Sequence, residues 1–275
     1  MPHMLIFGLG YTASRLAAAL RGRGWVVEAT GSAGGIDFAD GARVRDALTR
    51  ASHVLSSVPP ASGSDPVLDL YGTDVTQQWR GYLSSTGVYG DARGAWVDES
   101  AATGTGRRSD RSDCDARWLG AGAHVFRLPG IYGPGRSALD RVAQGRANRI
   151  DLPGQVFSRV HVDDIVSGVL AALDAPAGAY NLSDDLPASQ NAVIEEACLL
   201  MGQKPPPLLT LEQADLSPMA RGFYAENRRV ANGRAKRVLG WKPAYPDYRT
   251  GLRALKATTM PTSATAPPQP ASTDH

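Results

Sequence analysis

The chain runs to 275 residues, 43% of them hydrophobic and 20% charged, with a formal net charge of +2. That length can bury a full core, as one large domain or one domain with a lobe, and the charge is too mild to argue for nucleic acid or an anionic membrane. The two cysteines, Cys114 and Cys198, form no disulfide framework and no metal-ligand spacing, so both read as small buried hydrophobes. Five histidines without clustered carboxylates give no metal site. The apolar run Met4 to Leu9 is too short for a secretion signal, and no stretch approaches a membrane span. The expectation is a cytoplasmic protein acting on a small molecule, with a homodimer the one association left open.

Met4 to Phe7 is a short apolar run ending at Gly8, as a buried parallel strand requires. From Tyr11 to Leu20 the apolar residues Leu16, Ala17 and Leu20 recur at helical spacing, and Gly22 and Gly24 close the element. Trp25 to Thr30 reads as a second strand, Ala42 to Leu48 as a weak helix, and His53 to Val58 as a strand stopped by Pro59 and Pro60. Gly81 to Ser85 supplies another strand, Ala116 to Leu119 the end of a helix, and Val125 to Leu128 the next strand. Strands separated by helices on this rhythm imply right-handed βαβ units and a parallel sheet. After Pro129 the pattern changes to a helix over Ile165 to Leu173, a short strand at Tyr180 to Leu182 and a helix over Asn191 to Met201. From Ala257 the chain is Thr, Ser, Pro and Ala with no periodic core, which predicts a disordered tail.

Gly8-Leu9-Gly10-Tyr11-Thr12-Ala13 fits the G-x-G-x-x-G/A dinucleotide fingerprint, after a predicted strand and at the opening of a predicted helix. Gly8 permits the tight turn, Gly10 lets a pyrophosphate approach the backbone, and Ala13 allows close helix–strand packing. The helix N-terminus then offers unpaired N–H groups and a positive dipole to the phosphates.

Around this turn stand collinear motifs: Ser56-Ser57-Val58-Pro59-Pro60, Tyr82-Leu83-Ser84-Ser85-Thr86-Gly87-Val88-Tyr89-Gly90 and Arg127-Leu128-Pro129-Gly130-Ile131-Tyr132-Gly133-Pro134-Gly135-Arg136. Val160-His161-Val162-Asp163-Asp164-Ile165 and Leu239-Gly240-Trp241-Lys242-Pro243 follow. In this set the sequence resembles the extended short-chain dehydrogenase/reductases, the epimerase/dehydratase-like class, and within it the atypical YeeZ-like branch. The resemblance implies an α/β fold: a Rossmann-like doubly wound parallel sheet with a small C-terminal substrate lobe. It implies an NAD(P)-binding domain over 1–128, rejoined by the strand and helix near 158–175, a lobe over 129–256, and the tail over 257–275.

The same resemblance implies that Ser85, four residues before Tyr89, hydrogen-bonds the substrate oxygen. A tyrosine further on normally moves the proton, and a lysine four residues later lowers its phenol from about 10. Here those slots fall near Arg107 and Arg111, and no tyrosine lies between Tyr89 and Tyr132. Guanidinium has no acceptor and stays protonated, so Arg107 cannot shuttle a proton. Arg111 either donates to a ribose or to a substrate phosphate or carboxylate, or lies on a solvated helix face. Tyr89 is left as the phenol to supply the relay.

The tip of the second strand, Ala29-Thr30-Gly31-Ser32, carries no carboxylate to bind a ribose 2′-OH, which favours NADP over NAD, yet it carries no arginine to clasp a 2′-phosphate. The next helix and strand are truncated, since Gly31 passes almost directly to Ile36-Asp37-Phe38. By resemblance Asp37 meets the adenine amine, Ser32 and Phe38 flank it, Ser57 to Pro59 line the dinucleotide, and Pro129 to Ile131 pass beside the nicotinamide. His161 reads as structural, Asp163 or Asp164 as the cap of the helix beginning at Ile165, Arg127 as a buried ion-pair partner, and Trp241 as an anchor of the lobe. Two functions follow: an oxidoreductase or epimerase/dehydratase-like enzyme without the usual Tyr–Lys pair, acting on a small polar or nucleotide-linked substrate, or a binding or redox-sensor protein that holds the dinucleotide without turnover.

Overall fold

The computed structural model describes residues 1–106 and 109–259. Arg107, in the slot of the usual tyrosine, and residues 260–275 of the expected tail lie outside the described residues. In chain order the elements are β1 (His3–Phe7), α1 (Tyr11–Arg21), β2 (Val26–Thr30), β3 (Gly35–Ile36), α2 (Gly41–Arg50), β4 (His53–Ser56), α3 (Pro66–Tyr71) and β5 (Trp79–Ser85). A 3₁₀ turn (Thr86–Tyr89), β6 (Trp96–Val97), α4 (Ser109–Gly120), β7 (His124–Leu128), β8 (Gly130–Tyr132), α5 (Ala138–Ala143), β9 (Arg149–Ile150), β10 (Arg159–His161) and α6 (Val162–Ala171) come next. β11 (Gly178–Asn181), α7 (Gln190–Met201), β12 (Leu208–Leu209), α8 (Pro218–Phe223), β13 (Arg229–Val230), α9 (Gly233–Leu239) and α10 (Tyr248–Thr259) complete the described chain.

Seven strands form one sheet in the order β11-β7-β5-β4-β1-β2-β3, parallel at every pairing. Alternation along β1 sets the two faces. Met4 and Ile6 enter a core shared with Leu16, Ile165 and Trp241, whereas Leu5 and Phe7 enter one shared with Val44, Val67 and Trp118. Helices α1 and α6 therefore cover one face, and α2, α3 and α4 the other. From β1 the winding runs outward to β2 and β3 on one side and to β4, β5, β7 and β11 on the other. The carboxyl ends of β1 and β4 thus flank the point where a doubly wound sheet binds its ligand.

A third apolar cluster joins α5, α7 and α10 through Leu139, Val142, Val193, Ile194, Tyr248 and Leu252. The edge strand β11 comes from the second half of the chain and pairs with β7, Tyr180 opposite Phe126.

Two expectations are corrected. The helix after His161 begins at Val162, and its cap is the imidazole of His161, whose Nδ1 accepts the Asp163 amide at 3.2 Å. Asp163 is turned instead to Arg15, at 2.7 Å, and so ties α6 to α1; buried Asp164 accepts the amides of Ala244 at 2.6 Å and Tyr245 at 3.1 Å. Trp241 packs against α6, its Nε1 donating to the Asp164 carbonyl at 3.1 Å and Ser167 Oγ at 3.0 Å. The chain also remains helical through Thr259, because burial of Leu252 and Leu255 on one face of α10 outweighs the weak propensity of its closing threonines.

Candidate active site

The turn after β1 is shaped by its glycines. Gly8 has φ +81°, which disfavours any side chain, and its amide donates to Thr30 Oγ1 at 3.1 Å. Gly10 stands at the N-cap of α1 with no side-chain cap, and no heavy atom lies within 4 Å of where its Cβ would be. The space is a cradle that a side chain would fill, facing the unpaired amides of the first helical turn. Ala13 is fully buried against the sheet.

Beside this turn opens a cleft of about 970 Å³. It gathers eight of the residues expected at the site: Tyr11, Thr12, Ser57, Pro59, Ser85, Arg111, Pro129 and Ile131. Gly8, Gly10, Ala13 and Val58 lie outside its lining, with Val58 Cγ2 packed 3.1 Å from the Gly8 Cβ position. Ser32, Asp37 and Phe38 do not line it either. Ser32 and Asp37 are exposed, Asp37 accepting the Ala39 amide at 3.0 Å, and Phe38 packs edge-on to Phe7 and Tyr71.

Ser85 ends β5 at the cleft. Its Oγ accepts the Gly87 amide at 3.1 Å, which fixes the oxygen and leaves the hydroxyl proton free to donate. Tyr89 is different, and the expectation of a catalytic phenol is withdrawn. The 3₁₀ turn swings it away from the cleft into the protein, where its hydroxyl donates to Asn181 Oδ1 at 2.7 Å and accepts from Arg127 Nη1 at 3.0 Å. Burial raises its pKa above the usual phenol value, against the opposing pull of Arg127. Arg127 in turn grips Asp115 through Nη2 at 2.7 Å and Nε at 3.1 Å, both side chains nearly inaccessible, and Asp115 also accepts Ser84 Oγ at 2.7 Å. This network braces the carboxyl ends of β5 and β7 from behind.

No histidine or lysine lines the cleft among the described residues. Tyr11 bridges its rim, donating to the Pro134 carbonyl at 3.0 Å with the guanidiniums of Arg15 and Arg136 each 5.8 Å from its ring. No cluster of three or more His, Cys, Asp or Glu side chains suited to a metal is found among the described residues. No helix among them is long and apolar enough to cross a membrane.

A conserved, functionally unknown protein from Silicibacter pomeroyi DSS superposes with a TM-score of 0.84 at 41% identity, over 94% of this chain and 99% of that one. The two belong to one family. YeeZ of Escherichia coli K12 is 27% identical over 286 aligned residues, 90% of this chain and 97% of its own. The chain is a YeeZ homologue with the extended short-chain dehydrogenase/reductase fold. That fold is shared with the human epimerase family protein SDR39U1, solved with NADPH (TM-score 0.72, 16% identity, 92% and 99% coverage), and with the Bacillus cereus UDP-glucuronic acid 4-epimerase, solved with NAD (0.71, 15%, 92% and 97%). A Streptomyces 3-diazoavenalumate denitrifying reductase is 34% identical over 140 residues, 46% of this chain and 45% of its own length, so the match spans less than half of that relative. No family model matches the chain.

The chain thus carries the Rossmann-like fold of the epimerase/dehydratase proteins, and its glycine turn leaves open the space a dinucleotide would fill. The contribution of the second half of the chain escaped sequence reading. Arg136, Arg141, Arg159, Phe157 and Tyr224 all line the cleft. A signal existed for Arg141, since Ser137 and Asp140 form a reciprocal capping box that starts α5 one turn before it.

Proposed function

We propose that the chain is an NAD(P)-dependent oxidoreductase of the epimerase/dehydratase type, acting on a small organic substrate. The observation that carries this reading is the cleft itself, which brings the first turn of α1, the Ser57–Pro59 loop, Ser85 and the Pro129–Ile131 segment to one space at the sheet's switch point. The amides of Tyr11 and Thr12 would hold the pyrophosphate, and Arg111 would donate to the ribose or the substrate. The dinucleotide, when bound, supplies hydride chemistry. Ser85 orients the substrate oxygen through its free hydroxyl proton. With no His or Lys lining the cleft among the described residues, the proton comes from Ser85 in contact with solvent.

NADP is the preferred form in this reading. Gly31 (φ +100°) and exposed Ser32 present no carboxylate to a 2′-phosphate, and Arg43 reaches the Gly35 carbonyl at 3.4 Å beside that tip. The test is binding of NAD, NADH, NADP and NADPH by thermal shift, followed by oxidation of the bound reduced form against a panel of aldehydes, ketones and nucleotide sugars. Tight binding without turnover of any of them would leave the sensor reading in place; failure of all four dinucleotides to bind would overturn both.

A further inference from the structure

The lobe wall of the cleft holds positive charge that the dinucleotide turn does not use. Arg141 lines the cleft from α5, and its guanidinium makes no hydrogen bond or ion pair among the described residues. The surrounding protein lowers its pKa, with Tyr224 near enough to oppose that. Arg159 lines the same wall, only 7% exposed, and donates solely to neutral oxygens: the carbonyls of Phe157 and Ala188 at 2.8 Å, Ser189 at 3.5 Å, and Gln190 Oε1 at 3.2 Å. Its Nε is left without a bond.

The two arginines repel one another. Burial, reinforced by the charge on Arg141, brings Arg159 down to about 10 against the pull of Asp184. Asp184 does not cancel the pair. Burial raises that carboxyl above its ordinary value, and neither of its oxygens is hydrogen-bonded to either guanidinium. One buried guanidinium and one unpaired guanidinium beside it, without a bonded carboxylate, leave positive charge on the cleft wall that a bound anion neutralises.

The surface beside them is aromatic. Phe157 and Tyr224 meet edge to face at 5.5 Å and 89°, the Arg159 guanidinium lies 5.9 Å from the Phe157 ring, and Phe223 and Leu216 extend the wall. Such a wall takes a flat ring rather than a hydroxyl-rich sugar. We propose that the lobe side of the cleft binds a planar aromatic acid, its carboxylate held by Arg141 with Arg159 and its ring laid against Phe157 and Tyr224. The inference rests on reading the cleft as a dinucleotide and substrate site.

The experiment is calorimetric titration of the full chain, with and without saturating NADPH, using trans-cinnamate and its uncharged counterpart trans-cinnamyl alcohol. Cinnamate should bind at least tenfold more tightly than the alcohol. Arg141→Gln should weaken cinnamate at least tenfold, leave the alcohol within about twofold, and leave NADPH binding unchanged. Absence of cinnamate binding, or equal weakening of acid and alcohol in the variant, overturns the proposal. UDP-glucose binding more tightly than cinnamate also overturns it, by making the wall a nucleotide-sugar site. Loss of NADPH binding to the wild type instead brings down the dinucleotide reading, while the titration without NADPH still reads the arginine pair.

Discussion

Replacing Tyr89 with Phe separates a structural phenol from a catalytic one. The substitution keeps the ring, and with it the packing against the Arg127 guanidinium 5.0 Å from its centroid. It removes a hydroxyl bonded on both sides, so Asn181 Oδ1 loses its donor and Arg127 Nη1 its acceptor in a nearly inaccessible pocket. Asn181 still donates to the Ala231 carbonyl, and Arg127 still holds Asp115 twice, which limits the damage to the two orphaned positions. Each buried partner left unpaired costs ~1–3 kcal/mol, so with two orphaned, Tyr89→Phe should lose ~2–6 kcal/mol. At ~2–4 °C per kcal/mol for a domain of this size, the melting temperature should fall by about 4–24 °C. Thermal denaturation followed by circular dichroism gives the shift, and dinucleotide titration with turnover at 20–25 °C below the midpoint gives function. An unchanged melting temperature together with lost turnover would refute the reasoning and return Tyr89 to the active site.

Four further outcomes follow from the geometry. Asp115→Ala strands the buried Arg127 charge and should cost ~3–5 kcal/mol, measurable by urea unfolding; a loss under 1 kcal/mol would mean that the pair contributes little. Gly10→Val should abolish dinucleotide binding in a folded protein, because the new side chain occupies the open space over the first helical turn; undiminished NADPH affinity would sink the site. Arg43→Ala and Gly31→Asp should each shift preference from NADPH toward NADH in competitive titration, and a wild type that already prefers NADH would contradict both. Asp184 has a folded-state pKa raised by burial from 3.8 to about 8, so the native state binds the extra proton and stability falls as pH climbs through that window. Asp184→Asn should therefore gain stability over wild type at pH 8.5 relative to pH 5, and a pH-independent difference would exclude that titration.

The parts of this molecule that were legible share one property: their signal is local. The apolar run of β1, the glycine turn and the periodicity of α1 each decide a structure within a few residues, and the truncated connection after Gly31 showed in its spacing. Ser85 was placed because it ends a strand. Tyr89 was misread because four residues of 3₁₀ turn rotate a side chain by an amount that spacing alone does not reveal, and its partner Asn181 lies on a strand far along the chain. Helix α3 was missed although Asp65, accepting the amides of Val67 and Leu68, followed by Pro66 is a cap-and-first-turn signature. The arginine wall was least legible. Its members sit on a six-residue helix and a three-residue strand, too short for periodicity, and they meet only through tertiary packing.

The edge strand β11 also sets an order of events during synthesis. Strands β1 to β7 are complete once residue 128 has emerged, yet the outer side of β7 finds its partner only with Gly178–Asn181. At ~5–20 residues per second of translation, that edge stays unpaired for roughly 3–10 s in the nascent chain. Every side chain of β7 is buried in the finished fold, so for those seconds the growing polypeptide presents an uncovered strand edge with free backbone donors and acceptors, the kind of surface on which neighbouring chains pair. The interval between β7 and β11 is where chaperone engagement should concentrate, and chains stopped within it should be the ones that aggregate.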